Sequence, residues 1–198
     1  MGVTKKRRAL LIVDMQRDFA HPGGSLFIPG APEIVPALIG LIEEARREGV
    51  LLAWSQDWHP PQTPHFEAFG GSWPEHCIAG TPGAELLPEL TALRAPEDIL
   101  IRKGVTGEDG YSAFTVRNIL TEVEQPTKLN AQLQERGVGL LTIVGVATDW
   151  CVRASALDAL AAGYAVEVVA KATAGVNLQP DDSTTAIAEI VAAGGVIH

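Results

Sequence analysis

The sequence predicts an α/β fold, a three-layer α/β/α doubly wound sandwich with a mostly parallel central sheet. Short apolar runs recur along the chain, and each is followed by a turn and often by a helical pattern. The runs are almost continuously apolar and do not alternate, which is typical of strands that helices bury on both faces. The five clearest runs are residues 9–13, 50–54, 99–101, 140–144 and 166–170.

Three helix candidates lie between or after these runs, each followed by glycine: residues 34–48, 152–162 and 184–193. In the first helix Ile34, Leu38 and Ile42 share one face, as an amphipathic helix requires. Val196 and Ile197 predict a last short strand. Strands that alternate with helices through right-handed crossovers give the doubly wound sheet.

Length and composition predict one domain that spans residues 1–198. Hydrophobic residues make up 46% of the chain, and no apolar run is long enough to span a bilayer. The formal net charge of −9 argues against nucleic acid as the main partner, because phosphate binding needs clustered Lys and Arg. The basic run at residues 5–8 precedes a buried strand and is interpreted as a solvated arm, not as part of a signal peptide.

Two cysteines, Cys77 and Cys151, are too few for a disulfide framework in a domain of this size. They predict a reducing compartment and hence a cytoplasmic protein, with one or both thiols available for chemistry. Cys77 adjoins a histidine and could be a metal ligand, but a structural thiol is the preferred interpretation.

Ligands of doubly wound sheets bind beyond the carboxyl ends of the strands, so the residues that close each strand are the first candidates. Cys151 lies where a buried strand leads into a helix that Thr148 or Asp149 could cap. Free amides and the positive end of the helix dipole would stabilise a thiolate and a developing oxyanion there. The alternative is that Cys151 is a small buried hydrophobe, as a free cysteine usually is.

Asp14 directly follows one apolar run, and Lys103 closes another. Alone, Asp14 is an ordinary turn residue and Lys103 a lysine at the rim with its head in water. Beside Cys151, however, the acid could pass protons, and the lysine would lower the thiol pKa and keep the nucleophile charged. Three such residues at three strand ends indicate nucleophilic catalysis.

Residues 56–90 break the periodic pattern with six prolines, four glycines, two tryptophans and three histidines. A long aperiodic segment in a compact domain is usually functional or disordered, and the aromatic content argues against disorder. One carboxylate and three imidazoles in this stretch suit Zn²⁺, Fe²⁺ or Mn²⁺. The candidate ligands are Asp57, His59, His65 and His76. The alternative is that these loop histidines only cap and hydrogen-bond.

Three aromatic residues, Phe19, Trp73 and Tyr111, are candidate walls for a flat aromatic substrate. Packing in the hydrophobic core is the alternative for each of them.

At these positions the sequence resembles the nicotinamidase/pyrazinamidase branch of the isochorismatase-like cysteine hydrolases, over about residues 11–175. The matching blocks are residues 14–19, 55–60, 73–84, 103–104, 111–114 and 145–152. The resemblance implies an isochorismatase-like, Rossmann-like fold and hydrolysis of nicotinamide to nicotinate and ammonia through a cysteine thioester, a reaction of NAD salvage. It implies pyrazinamide as a further substrate.

The resemblance implies a catalytic triad of Asp14, Lys103 and Cys151. It also implies that one divalent metal ion (Zn, Fe or Mn) holds the ring nitrogen of the substrate and is bound by Asp57, His59, His65 and His76. A cis peptide bond between Val146 and Ala147 is expected, which would turn the Ala147 amide, with that of Cys151, toward the substrate oxygen.

The chain departs from the family pattern at Arg17, where many members carry Asn, and at Lys171, where an acidic residue is frequent. Glu67 stands where a serine often follows the third ligand, so a water near the metal would be held differently. Family members are often dimers or larger, which leaves a homo-oligomer open for this chain.

Other functions remain as alternatives. One is an amidase of the same superfamily that acts on an N-carbamoyl or ureido substrate. Another is a metal hydrolase in which the ion activates water and Cys151 is structural. The third is a binding module without catalysis, since fold does not fix function.

Overall fold

A parallel sheet of six strands forms the middle layer of this computed structural model, which describes residues 7–198. The strands are β1 (Arg7–Val13), β2 (Leu51–Asp57), β3 (Ile99–Lys103), β6 (Val138–Val146), β7 (Ala165–Ala174) and β8 (Val196–Ile197). Their order across the sheet is β3-β2-β1-β6-β7-β8. A separate antiparallel hairpin pairs β4 (Thr115–Arg117) with β5 (Glu124–Pro126).

The helices are α1 (Arg17–Ala20), α2 (Ala31–Glu48), α3 (Pro88–Thr91), α4 (Leu129–Glu135), α5 (Arg153–Ala161) and α6 (Asp182–Ala192). One π-helical turn, Thr148–Val152, joins β6 to α5. Short 3₁₀ turns lie at Glu67–Phe69 and Pro82–Ala84. Among the described residues, no helix combines the length and the apolar composition that crossing a lipid bilayer requires.

Strand β1 shows why the apolar runs are continuous. Successive side chains of a strand point to opposite faces of the sheet. Leu10 and Ile12 pack with Leu38 and Ile42 of α2 on one face, whereas Leu11 packs on the other face with residues of α4, α5 and α6. Burial of each such side chain contributes roughly 1.5–3 kcal/mol. The predicted three-layer α/β/α architecture is confirmed.

Three strands, β2, β3 and β7, are longer than the apolar runs that predicted them. Strands β2 and β3 extend past their apolar runs to Asp57 and Lys103, which are the last residues of these strands. Strand β7 runs to Ala174 and therefore contains Lys171, whose side chain is exposed. The polar residues at these strand ends interrupted the apolar pattern while the backbone pairing continued.

The predicted helix cap at Thr148 or Asp149 needs correction, and the predicted basic arm lies partly outside the described residues. Neither Thr148 nor Asp149 caps a helix with its side chain; within residues 7–198 the Asp149 carboxylate instead accepts hydrogen bonds from the amides of Val176 (2.9 Å) and Asn177 (2.7 Å). These amides follow β7, so Asp149 ties the loop after β7 to the π-helical turn. Of the basic run, residues 5 and 6 lie outside the described residues.

Candidate active site

Four neighbouring strands of the sheet bring the predicted site residues to one edge. Reading across the sheet, β3 ends with Lys103, β2 with Asp57, and β1 with Asp14 directly after it, while β6 leads into the turn that contains Cys151. Adjacent strands lie about 4.8 Å apart, so the ends of β3 and β1 are separated by roughly twice that distance. A lysine side chain on β3 is long enough to cross the end of β2 and reach β1.

Lys103 makes the contacts that unite the predicted triad. Its Nζ donates a hydrogen bond to Asp14 Oδ2 (2.7 Å) and lies 3.5 Å from Cys151 Sγ. The same ammonium donates to the carbonyl of Tyr111 (2.9 Å) and forms an ion pair with Asp57 Oδ1 (3.0 Å). The side chains of Lys103 and Asp14 are each only 1% exposed. The structure therefore brings the acid, the amine and the thiol together in a site shielded from water.

Burial and charge act in opposite directions on these groups. Burial alone would lower the pKa of Lys103, but Asp14 and Asp57 outweigh burial, and the pKa is raised well above its usual range. The pKa of Asp14 is raised, chiefly by burial and against the effect of Lys103. Burial also raises the pKa of the Cys151 thiol well above its usual range; Lys103 lowers it, whereas Asp14 and Asp57 raise it further. Lys103 thus acts on the thiol pKa in the predicted direction, but burial and the two carboxylates outweigh its effect.

Two side chains that the sequence did not single out hold the acids in place. Ser55 on β2 donates its hydroxyl to Asp14 Oδ1 at 2.7 Å. Gln16 donates to the backbone carbonyls of Asp57 (2.6 Å) and Ala84 (2.7 Å), and its own oxygen accepts the Asp57 amide (2.8 Å). Both lie within blocks of the family pattern, but no feature of residue type or spacing marked them.

The four predicted metal ligands converge beside the triad. One ring nitrogen from each of His59, His65 and His76 lies within 4.8 Å of the others, and all three residues are buried. Asp57 Oδ2 lies 3.9 Å from His59 Nε2 and 3.8 Å from His76 Nε2. One carboxylate and three imidazoles form the donor set that divalent transition metals bind.

The hydrogen bonds around these rings test whether a cation fits. Neither ring nitrogen of His59 has a hydrogen-bond partner among the described residues, although both are buried. An unpaired buried polar group costs about 1–3 kcal/mol, which a bound ion would remove. Burial lowers the pKa of His59, so the ring is the neutral form that a metal requires. His76 Nδ1 is paired with the Pro74 carbonyl at 2.7 Å, which leaves Nε2 as its ligand atom.

Gly104, the residue after β3, gives His59 its space. Its φ is +78°, and a Cβ built there would lie 2.3 Å from His59 Nδ1. No side chain larger than hydrogen fits between this backbone and the imidazole, so the turn after Lys103 also shapes the histidine cluster.

A cleft with about 470 Å³ of empty space, part of it open to solvent, adjoins both groups of residues. Phe19, Trp73 and Tyr111 line it as predicted, and Trp73 Nε1 donates to the Tyr111 hydroxyl at 3.0 Å. Trp150 also lines the cleft and was missed by the sequence analysis. Its ring packs edge-on against Trp73, with centroids 5.0 Å apart. An apolar slot with a few directed polar groups is typical of a site for a small flat ligand.

The backbone at the end of β6 faces the same cleft. The peptide bond between Val146 and Ala147 is cis, which confirms that prediction. Both residues line the cleft together with Cys151. The Ala147 carbonyl accepts hydrogen bonds from the amides of Trp150 (3.1 Å) and Val152 (3.0 Å), the residues on either side of the cysteine.

Of the other residues considered, Cys77, Arg17 and Lys171 lie outside the site, whereas Asp109 contacts it. Cys77 is fully buried and is not part of the histidine cluster found within residues 7–198. Arg17 and Lys171 do not line the cleft. Asp109, by contrast, contacts the cluster: burial would raise its pKa, but hydrogen bonds with His65 and other groups lower that pKa to about 2. No sequence pattern marked Asp109, because it lies in an aperiodic loop after β3.

Comparison with known proteins assigns this architecture to a class. The family model described as Isochorismatase domain matches residues 8–198, and the chain belongs to that family. The sequence is 35% identical to the nicotinamidase of Escherichia coli (strain K12), across 96% of this chain and 94% of that protein. It is 38% identical to the nicotinamidase/pyrazinamidase of Mycobacterium tuberculosis (strain ATCC 25618 / H37Rv), across 92% of each chain.

A solved structure agrees with these relatives. The crystal structure of the pyrazinamidase of Pyrococcus horikoshii in complex with zinc is similar to this chain with a TM-score of 0.84 and 36% sequence identity. The similarity covers 97% of this chain and 98% of the other. The likeness therefore extends through the whole sheet and the loops that surround the cleft.

Proposed function

We propose that this protein is a nicotinamidase-type amidohydrolase that converts nicotinamide and water to nicotinate and ammonia through a thioester on Cys151. The observation that carries the proposal is the position of Lys103 Nζ, 2.7 Å from Asp14 and 3.5 Å from the Cys151 thiol, beside a cluster of three histidines. Cys151 and the candidate metal site thus line one cleft, and Asp14 lies buried beside Lys103. Relatives with the same activity support the assignment.

Binding comes first in the proposed mechanism. A divalent cation held by Asp57, His59, His65 and His76 would supply a Lewis-acid contact for the ring nitrogen of the substrate. Phe19, Trp73, Tyr111 and Trp150 form the apolar walls that hold the flat ring. The carboxamide then lies toward Cys151, at the opposite side of the cleft.

Acylation begins from a protonated thiol, because the pKa of Cys151 is raised. Asp14 accepts the thiol proton, and the sulfur attacks the amide carbon. The amides of Ala147 and Cys151 stabilise the oxyanion, and one such donor is worth about 3 kcal/mol. Asp14 passes the proton to the leaving nitrogen, the carbon–nitrogen bond breaks, and ammonia leaves a thioester behind. A carboxyl group of raised pKa suits this exchange of protons.

Deacylation uses the same acid. Asp14 removes a proton from water, and the hydroxide attacks the thioester carbon. The carbon–sulfur bond breaks, nicotinate is released, and the proton returns to the sulfur. Lys103 stays protonated throughout, orients Asp14 and balances the negative charge that forms on the sulfur.

Replacement of the nucleophile tests the proposal. Cys151→Ala should reduce ammonia release from nicotinamide by about 10⁶-fold, the loss found when a triad nucleophile is removed. Cys77→Ala is the matched control, because Cys77 is also a buried thiol but does not line the cleft. We expect this control to retain activity in the same ammonia assay.

Activity that survives in Cys151→Ala would contradict the thioester and favour a metal hydrolase. The same assay on a panel of nicotinamide, pyrazinamide and an N-carbamoyl amine identifies the substrate class. We expect turnover of the two aromatic carboxamides, and preference for the N-carbamoyl compound would favour the other amidase class.

The proposal also covers the setting of the reaction. We propose one bound Zn²⁺, Fe²⁺ or Mn²⁺ per chain, which elemental analysis of the purified protein would identify. We further propose a cytoplasmic protein that acts on a small carboxamide without a nucleic-acid or membrane partner. The two free cysteines and the net charge of −9 support this setting. A homo-oligomer is compatible with it, and light scattering would give the number of chains.

A further inference from the structure

One of the three clustered histidines is held by a carboxylate that lies outside the predicted ligand set. His65 Nδ1 lies 2.9 Å from Asp109 Oδ1, and both side chains are largely buried. The other two rings differ within the described chain. His76 Nδ1 is paired with a backbone carbonyl, and neither nitrogen of His59 has a partner. His65 is therefore the histidine of this cluster whose orientation depends on a replaceable side chain.

This hydrogen bond decides which nitrogen of His65 can bind a cation. With the Nδ1 proton donated to Asp109, the lone pair lies on Nε2, on the other side of the ring. The ring stacks on His59 with centroids 4.5 Å apart and meets His76 at 5.3 Å, so it packs firmly into the cluster. A carboxylate behind a histidine also makes the ring a more basic ligand.

Asp109 is itself fixed in place. Its Oδ1 also accepts the amide of Gly110 (2.8 Å), and its Oδ2 accepts a hydrogen bond from Arg117 Nη2 (3.2 Å) on β4. The backbones of Asp109 and Arg117 exchange two further hydrogen bonds, at 2.7 and 2.6 Å. The loop after β3 is thus bonded to the β4–β5 hairpin, and the carboxylate cannot turn away from His65 without breaking these contacts.

We propose that Asp109 is a positioning residue of the metal centre: it holds His65 with Nε2 toward Asp57, His59 and His76, and Arg117 of the hairpin holds Asp109. The inference rests on the proposed function only in taking the histidines as metal ligands. It assigns the hairpin, which no step of the mechanism uses, a part in metal retention.

The test measures Zn²⁺ affinity of metal-free protein by competition with a chromophoric chelator, in a Cys151→Ala background so that catalysis does not enter. Asp109→Ala should weaken Zn²⁺ binding about 10–100-fold, the usual effect of removing the partner behind a ligating histidine. Asp109→Asn keeps an acceptor without the charge and should lie between Asp109→Ala and the parent protein. Arg117→Ala keeps the Asp109 carboxylate but removes one of its hydrogen-bond donors, and it should weaken Zn²⁺ binding by more than twofold but less than Asp109→Ala does.

Asp158→Ala is the matched control. Asp158 is also half-buried and also binds the hairpin, through the Thr115 hydroxyl at 2.8 Å, but it does not contact a histidine of the cluster. Its Zn²⁺ affinity should equal that of the parent protein. The visible spectrum of Co²⁺-loaded protein gives a second measurement, and Asp109→Ala should change its bands while Asp158→Ala should not.

Two results would overturn the inference. Zn²⁺ affinity of Asp109→Ala within twofold of the parent would do so, and so would an equal loss in Asp158→Ala, which would indicate a general effect of the hairpin. If Asp109→Ala does not fold, Arg117→Ala and Asp109→Asn decide by the same comparison. A parent protein that binds no Zn²⁺ at all would overturn both this inference and the proposed metal site, whereas failure to hydrolyse nicotinamide would contradict the proposed function alone.

Discussion

The ammonium group of Lys103 lies between two carboxylates, those of Asp14 and Asp57, and one thiol. With the thiol neutral, these groups carry a net charge of about −1 in a buried site, which favours the binding of a cation at Asp57. Removal of one partner from a buried ion pair costs about 3–5 kcal/mol, because the remaining charge has no compensation. Lys103 therefore stabilises the fold as well as the chemistry.

At the same scale, the hydroxyl of Ser55 is expected to influence the pH range of activity. In the proposed mechanism Asp14 must be ionised to accept a proton, so we expect kcat/KM to fall as the pH falls through the Asp14 pKa, which burial raises above the ordinary 3.8. The Ser55 hydrogen bond favours the ionised form and lowers this pKa. Ser55→Ala should therefore raise it and move the acid limb of the kcat/KM profile upward by about 0.5–1 pH unit.

The profile is measured with nicotinamide in saturating metal. Ser155→Ala provides the control, because Ser155 is equally buried but its hydroxyl oxygen accepts the Ala113 amide, away from Asp14. An acid limb that stays in place in Ser55→Ala, or moves equally in Ser155→Ala, would show that Asp14 is not the group that titrates.

At the scale of elements, the turn after β3 connects the triad to the histidine cluster. Gly104→Ala would place a methyl group against His59 and should reduce Zn²⁺ affinity at least tenfold, by displacing one ligand. The measurement is the metal content of the purified variant together with chelator competition.

Gly107→Ala is the control that distinguishes the effect of the contact with His59 from the effect of backbone strain. Gly107 has a similar φ of +86°, but its nearest neighbour to a new Cβ is Thr63 Oγ1 at 3.8 Å. Both variants place alanine in a left-handed backbone conformation, which strains the backbone equally, but only Gly104→Ala should lose metal. Equal loss in the two variants would mean that the loop as a whole, and not the contact with His59, determines binding.

The strands and their functional ends were predictable because burial on both faces leaves a continuous apolar run, and parallel strands end at one edge. Asp14 was located in this way, and Lys103 at the end of its strand. Helix α4 was missed because it is short and buries only Leu129 and Leu133, and the β4–β5 hairpin because it is short and mostly exposed. The single-domain organisation and the assigned residue roles stay predictions.

Three features of the site could not be predicted from the sequence, because they depend on three-dimensional contacts. Trp150 faces the cleft because a π-helical turn, not an ordinary helix start, follows β6. Asp109 reaches His65 through a hairpin that no local pattern announced. The direction of the Cys151 pKa shift follows from summed burial and charge, and neighbouring residue types alone suggested the opposite direction.

For the whole molecule, a bound cation should raise the stability of the fold, because the proposed ligands, at the end of β2 and in the loop after it, converge only in the folded state. At 100 times the dissociation constant a ligand adds about 2.7 kcal/mol, which for a chain of 198 residues corresponds to a Tm increase of about 5–10 °C. Differential scanning fluorimetry with Zn²⁺ and then with excess chelator measures this shift.

His76→Ala is the comparison for that experiment, since it removes one of the proposed ligands. Zn²⁺ should raise its Tm by much less than that of the parent. An equal shift in both proteins would indicate that the ion binds elsewhere.

The place of β1 in the sheet has a consequence for biosynthesis. Ala9 of β1 pairs with Leu51 of β2 on one side and with Leu141 of β6 on the other. More than a hundred residues separate β1 from β6, so during synthesis β1 leaves the ribosome long before the strand that pairs with this second side. A chain that terminates before β6 would lack both the strand that pairs with this side of β1 and Cys151, the proposed nucleophile.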